Sequence, residues 1–177
     1  MALFRRYLFS MVCLFIIPAG VTVAQISPPV GAIGHITAQV ITTLAAVETS
    51  QMNFGKFSPG PQGGELILTP DNNISVMGSV WKGSGTHNAA SFYVTGDPGV
   101  AYTVTLPSKP VMITHMGTSR TMTVENWISV PAPTPGAGML ENGAQTVYVG
   151  ATLKVGTLND NPVGIYTGTY TITFDFN

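Results

Sequence analysis

Tyr166-Thr-Gly-Thr-Tyr-Thr-Ile-Thr-Phe-Asp-Phe176, close to the end of the chain, alternates apolar residues or glycine with threonine and aspartate without a break. Successive side chains of an extended strand point to opposite faces. Tyr166, Gly168, Tyr170, Ile172, Phe174 and Phe176 therefore share one face, and the threonines with Asp175 share the other. The spacing predicts a strand over 166–176 with one aromatic and one hydroxylated side. A strand so apolar on one side must be covered by a second sheet and paired along its edges.

The same period-2 pattern recurs upstream, at 35–46, 51–54, 65–69, 74–80, 90–95, 101–106, 111–116, 121–128 and 145–155. Turn chemistry separates these runs: Pro59-Gly60-Pro61 with Gly63-Gly64, Pro70-Asp71-Asn72-Asn73, Gly96-Asp97-Pro98-Gly99 and Asn159-Asp160-Asn161-Pro162. Helical periods are scarce. Short strands at this spacing predict an all-β, antiparallel β-sandwich. The stretch from Pro131 to Gly138 resembles an interdomain linker, but the strands after it need partners from before it, so it reads as a long surface loop.

The amino-terminal end reads as a targeting segment. Arg5 and Arg6 form a positive n-region, residues 7–17 an apolar h-region, and Thr22-Val23-Ala24 a small-residue exit. The organisation expected is a signal peptide over 1–24, a flexible leader over 25–34, and a single sandwich domain over 35–177. Pro18 and Gly20 interrupt the apolar run before it reaches the roughly 20 residues a bilayer demands, so no transmembrane anchor is expected in the mature chain. The one cysteine, Cys13, falls inside the h-region and would leave with it.

Charged residues make up 8% of the chain, against about 25% in typical soluble domains. Losing Arg5 and Arg6 lowers the formal net charge from −1 to −3. Such a chain has no basic patch to neutralise phosphates, which argues against nucleic acid as a partner. A surface of Thr, Ser, Asn, Gln and Gly suits extracellular β proteins and subunits that pack against copies of themselves, because little charge is left to repel a neighbour.

After the Pro- and Gly-containing leader comes Ile36-Thr-Ala-Gln-Val-Ile-Thr-Thr-Leu44, in which Ile36, Ala38, Val40 and Leu44 oppose Thr37, Gln39 and Thr43. A sticky strand on a loose tether is what β-strand addition requires: an extended peptide completes an open sheet edge and inserts alternate side chains into the core of another molecule. Residues 35–46 are thus either a donor strand, with Ile36, Ala38, Val40 and Leu44 as its inserted side chains, or the first strand of the domain itself. The acceptor would lie beside the carboxy-terminal strand, on the face of Tyr166, Tyr170, Ile172, Phe174 and Phe176.

At both ends the sequence resembles the major subunit of the Mat-type common pilus and, more broadly, an uncharacterised family of secreted bacterial domains related to pilins. The residues that carry this are Ile36-Thr37-Ala38-Gln39-Val40 near the start, and Pro162, Gly164-Ile165, Gly168 and Phe174-Asp175 near the end. In the middle they are Phe54-Gly55, Phe92 to Gly96, Tyr102 to Pro107 and Val149 to Leu153. The resemblance implies an immunoglobulin-like pilin fold, export to the periplasm, a dedicated chaperone, an outer-membrane usher and polymerisation by donor-strand exchange. One departure stands out: many chaperone-usher pilins carry a glycine fourteen residues before a penultimate aromatic, and here that position is Pro162.

No catalytic constellation is legible. His35, His87 and His115 lack metal-ligand spacing, and Glu48, Glu65, Glu125 and Glu141 are too scattered to pair as acid and base. The serines lack a nucleophile elbow. Trp81, with Lys82 and the Gly83-Ser84-Gly85 turn, could offer an aromatic platform to a sugar, although a Trp at a strand end more often packs on the rim of a core. The expectation is a non-enzymatic structural subunit of a fimbrium that supports surface attachment, without cofactor or metal. Its alternative is a self-complemented secreted module that binds carbohydrate or a surface protein.

Overall fold

The computed structural model describes residues 30–40, 42–135 and 137–176. The signal peptide expected over 1–24, and the leader before Val30, lie outside these residues. The chain divides into two compact units, Met1–Ala38 and Gln39–Asn177. In the first, the described residues 30–38 are exposed and belong to no strand.

The second unit is all-β, with no helix among the described residues. Its strands are β1 (Ala45–Ser50), β2 (Phe57–Leu68), β3 (Ile74–Lys82), β4 (Ala90–Thr95), β5 (Ala101–Thr105), β6 (Val111–His115), β7 (Thr121–Val130), β8 (Gly138–Met139), β9 (Ala144–Val155), β10 (Tyr166–Thr167) and β11 (Thr173–Phe176). A large sheet runs β1-β4-β9-β7-β6-β10, with β2 pairing both β9 and β3, and a small sheet runs β11-β5-β8. Every pairing is antiparallel. This is the β-sandwich that the alternation predicts.

The long strand β9 organises the large sheet. Its first half pairs β4, from Ala90↔Val149 to Thr95↔Ala144, and its second half pairs β2, from Gly64↔Val155 to Leu68↔Ala151. Val147, Val149, Ala151, Leu153 and Val155 all point inward and are buried, so one alternating stretch serves two regions of core.

Three elements depart from the sequence-based expectation. The first strand begins at Ala45, not at residue 35, because the alternating run ahead of it meets no partner strand. The expected turn around Pro59 to Gly64 lies inside β2, which pairs β3 across an irregularity between Pro59 and Gly63. Gly63 takes φ +69 there, a left-handed conformation that glycine tolerates, and the extra residues are absorbed as a bulge.

The third departure is the carboxy-terminal strand itself, which is two strands. Tyr166 and Thr167 pair β6 in the large sheet, while Thr173 to Phe176 pair β5 in the small one. The chain crosses between sheets over 168–172. A Cβ on Gly168 would lie 2.8 Å from the Met112 carbonyl oxygen, so glycine is what lets the backbone leave β6 at close quarters. Perfect alternation is compatible with either course, because the same apolar residues are buried on both sides of the crossing.

Candidate functional site

Two hydrophobic clusters fill the sandwich. One comprises Ala90, Val94, Tyr102, Val104, Leu140, Val147 and Val149, and the small sheet closes over it. The other comprises Leu66, Val80, Met122, Val124, Ala151, Leu153 and Val155, with Met52, Phe54, Phe57, Val111, Ile113, Trp127 and Tyr166 packed half-buried against it. No residue of β5, β8 or β11 contributes to this second cluster among the described residues. Over it lies a groove of about 940 Å³ instead of a covering strand.

The groove has two walls and an apolar floor. One wall is 51–59 and the other is 161–170; the floor is Val111 and Ile113 of β6, Met122, Val124 and Trp127 of β7, Leu153 of β9 and Phe92 of β4. Trp127 reaches the floor through a bulge. The β7–β9 register shifts between Glu125 and Ile128, and Asn126 sits at φ 52. The inward series is therefore 122, 124, 127, where an unbroken strand would have put Asn126 inside.

Each wall is pinned by hydrogen bonds. In the first, Asn53 exchanges 2.8 Å backbone bonds with Asn88, and Gly83 N–H donates to the Lys56 carbonyl at 2.7 Å. In the second, buried Asn161 donates to the Thr121 carbonyl at 2.9 Å and accepts from Gly156 N–H at 2.6 Å. The Tyr166 hydroxyl donates to the Pro162 carbonyl at 2.9 Å. His115 packs edge-on to Tyr166 with ring centroids 5.0 Å apart. Its Nδ1 accepts from Gly117 N–H, which leaves Nε2 to donate to the Val163 carbonyl, 3.1 Å away.

At one end of the groove Tyr170 stacks on Trp127, 4.8 Å between centroids, and meets Phe92 edge-on. The Tyr170 hydroxyl and Trp127 Nε1 are both buried without a hydrogen-bond partner among the described residues. Burial, and then the charge of Glu48, pushes the Tyr170 hydroxyl well above its ordinary pKa, so it is a neutral donor. Two orphaned donors in an apolar cleft are costly and are relieved by any occupant that brings acceptor oxygens. Glu48 and Lys56 are the charged residues among those lining the groove, so its recognition is apolar and hydrogen-bonding in character.

The residues expected from sequence to form donor and acceptor separate as follows. Ile36 and Val40 are 97% and 96% exposed, and Ala38 is exposed too. Leu44 is half-buried against the closed cluster of its own chain. On the acceptor side Tyr166 lines the groove, and Tyr170 both lines it and packs against the closed cluster. Ile172 and Phe174 pack on the closed cluster as well, and Phe176 is 36% exposed on β11. The break in the carboxy-terminal strand divides the set. Floor residues Val111, Ile113, Met122 and Val124 carried a visible alternation, and Met52 and Phe54 a short one, but nothing in the sequence brought them together.

Among the described residues no group of three or more His, Cys, Asp or Glu is positioned to hold a metal ion. Trp81 is 60% exposed at the end of β3, apart from the groove. No curated protein and no solved structure matches the chain significantly. Residues 44–176 match the family model described as Domain of unknown function (DUF4402), a span that takes in all eleven strands and both walls of the groove. The chain thus belongs to the DUF4402 family.

Proposed function

We propose that the protein is a structural fimbrial subunit, exported to the periplasm and polymerised by donor-strand exchange, with each copy laying its exposed amino-terminal strand into the groove of the next. The observation that carries this reading is an apolar groove over half of the core in a chain whose Ile36 and Val40 are almost fully exposed. A β-strand is the occupant that suits such a groove. It offers apolar side chains to the floor from one face and carbonyl oxygens along its edges for donors such as Tyr170 and Trp127. The low charge of the chain favours close packing of identical copies. The resemblance to the Mat-type pilus subunit points the same way, and implies a periplasmic chaperone to shield the groove and an outer-membrane usher to order the subunits, with surface attachment as the outcome.

Val40→Arg tests this directly. The variant is expected to be exported and folded, since Val40 packs on nothing in its own copy, yet to give no fibres, because a guanidinium cannot enter an apolar groove unpaired. Fibres of normal yield from Val40→Arg, or a wild-type chain that is a stable monomer at every concentration, would overturn the proposal in favour of a self-complemented binding module.

A further inference from the structure

Resting on that reading, we infer that the donor strand is 30–40, with Val30, Ile36 and Val40 as its anchors, and that Asp97 is a positioning residue that sets where the donor leaves its own domain. Donor length follows from what is committed at home. Ala45 onward is paired to β4, and Leu44 packs into the closed cluster of its own chain. Thr42 is held at two points by Asp97: its N–H donates to Oδ2 at 3.2 Å and its hydroxyl to Oδ1 at 2.5 Å. The residues left for a neighbour end at Val40.

At about 3.3 Å per residue, the five residues from Ile36 to Val40 span roughly 16 Å and the eleven residues 30–40 about 35 Å, so the longer segment can line about twice as much of a groove.

The sequence of that stretch supports the longer strand. Val30, Ala32, Gly34, Ile36, Ala38 and Val40 all fall on one face, apolar or glycine throughout, whereas the opposite face carries Gly31, Ile33, His35, Thr37 and Gln39, polar in its second half. Val30 is 95% exposed, as free of its own fold as Ile36 and Val40. Large residues separated by small ones are what a groove crowded by Trp127, Tyr170 and Tyr166 accepts.

The experiment compares fibres from full-length Val30→Arg, Ile33→Arg, Val40→Arg, Asp97→Ala and Asp97→Asn. Val30→Arg is expected to abolish fibres as Val40→Arg does, while Ile33→Arg, an exposed residue of the opposite face, leaves them intact. Asp97→Ala is expected to lower the denaturant midpoint of fibre dissociation without moving the unfolding midpoint of the subunit, and Asp97→Asn, which keeps an acceptor for the Thr42 hydroxyl, to restore part of it. Fibres lost in Val40→Arg but normal in Val30→Arg, or lost in Ile33→Arg, overturn the donor assigned here while donor-strand exchange stands. Normal fibres from Val30→Arg and Val40→Arg alike overturn both. An unchanged dissociation midpoint in Asp97→Ala overturns the role of Asp97.

Discussion

The two halves of the core share the long strand β9 but are finished differently. In the closed half, Ala90, Val94, Tyr102, Leu140, Val147 and Val149 are all fully buried, with the small sheet lying over them. In the open half Leu66 is fully buried as well, but Val80 keeps 7% and Val155 5% of their surface, and Met122, Val124 and Leu153 line the groove. Since β9 runs through both, the contrast is not one of strand quality. It arises because the chain spends its last strand, β11, on the closed half. A single-chain sandwich that leaves half its core under a groove has stability in reserve for a second molecule, since whatever binds the folded form and not the unfolded one adds to its stability.

The largest expected effect tests that asymmetry through truncation. Leu140→Ala removes a fully buried side chain from the closed half and should cost about 2–5 kcal/mol, whatever the state of assembly. Ile113→Ala, on the groove floor, should cost about 1 kcal/mol in the unpolymerised subunit, where the side chain is half-exposed. Its cost should grow once a donor strand lies over it. Urea unfolding of subunits and of fibres measures both differences. Equal losses at the two sites in the free subunit would show that the open half is already sealed.

A smaller effect concerns alkaline pH. Burial pushes the Tyr102 hydroxyl, which donates to Gln145 Oε1 at 2.7 Å, up to about 12. Its folded-state pKa lies above the ordinary value of 10, so the neutral phenol is favoured by folding. The stability this contributes is complete below pH 10 and is lost as pH rises from 10 toward about 12. Tyr170 on the groove is raised for the same reason. Tyr102→Phe should flatten the alkaline stability loss equally in subunits and fibres. On the proposed reading Tyr170→Phe should do so by different amounts in the two, because a donor strand in the groove would cover Tyr170 further. Tyrosinate absorbance at 295 nm, followed against unfolding, separates them.

The smallest effect is on the outside of the open half. Lys154 of β9 bonds to Glu65 of β2 and lies 3.3 Å from Glu125 of β7, and these carboxylates raise its pKa. The cluster lies on the outer face of the sheet and is partly open to water, and pairs screened by solvent contribute little. Lys154→Met should leave the urea midpoint of the subunit unchanged within error. A clear loss would mean that the back of the sheet, and not only its apolar face, holds the open half together.

Much of this was legible in the residues themselves. Alternation located β3, β4, β5, β6 and β9 to within two residues at each end, since burial of one face leaves a period-2 record in any strand. The absence of helical periods and the turn clusters gave the all-β class. The alternating run Ile36 to Leu44 reads as either a donor strand or the first strand of the domain, and the sequence leaves both open. Other features left no local record. The bulge that turns Trp127 into the groove depends on the backbone at Asn126, and the commitment of Thr42 depends on Asp97, far along the chain.

By itself, then, the sequence determined which residues face inward, because that choice is made one strand at a time by hydrophobicity and pleat. Only the tertiary structure decided which inward faces cover one another. The crossing at 168–172 sends Ile172 and Phe174 to one cluster, leaves Tyr166 beside the other, and puts Tyr170 between them, packed on the first and lining the groove over the second. The alternation of apolar and hydroxyl residues is the same for either course. The choice rests on long-range pairing with β5 and β6, an energy that no stretch of eleven residues contains.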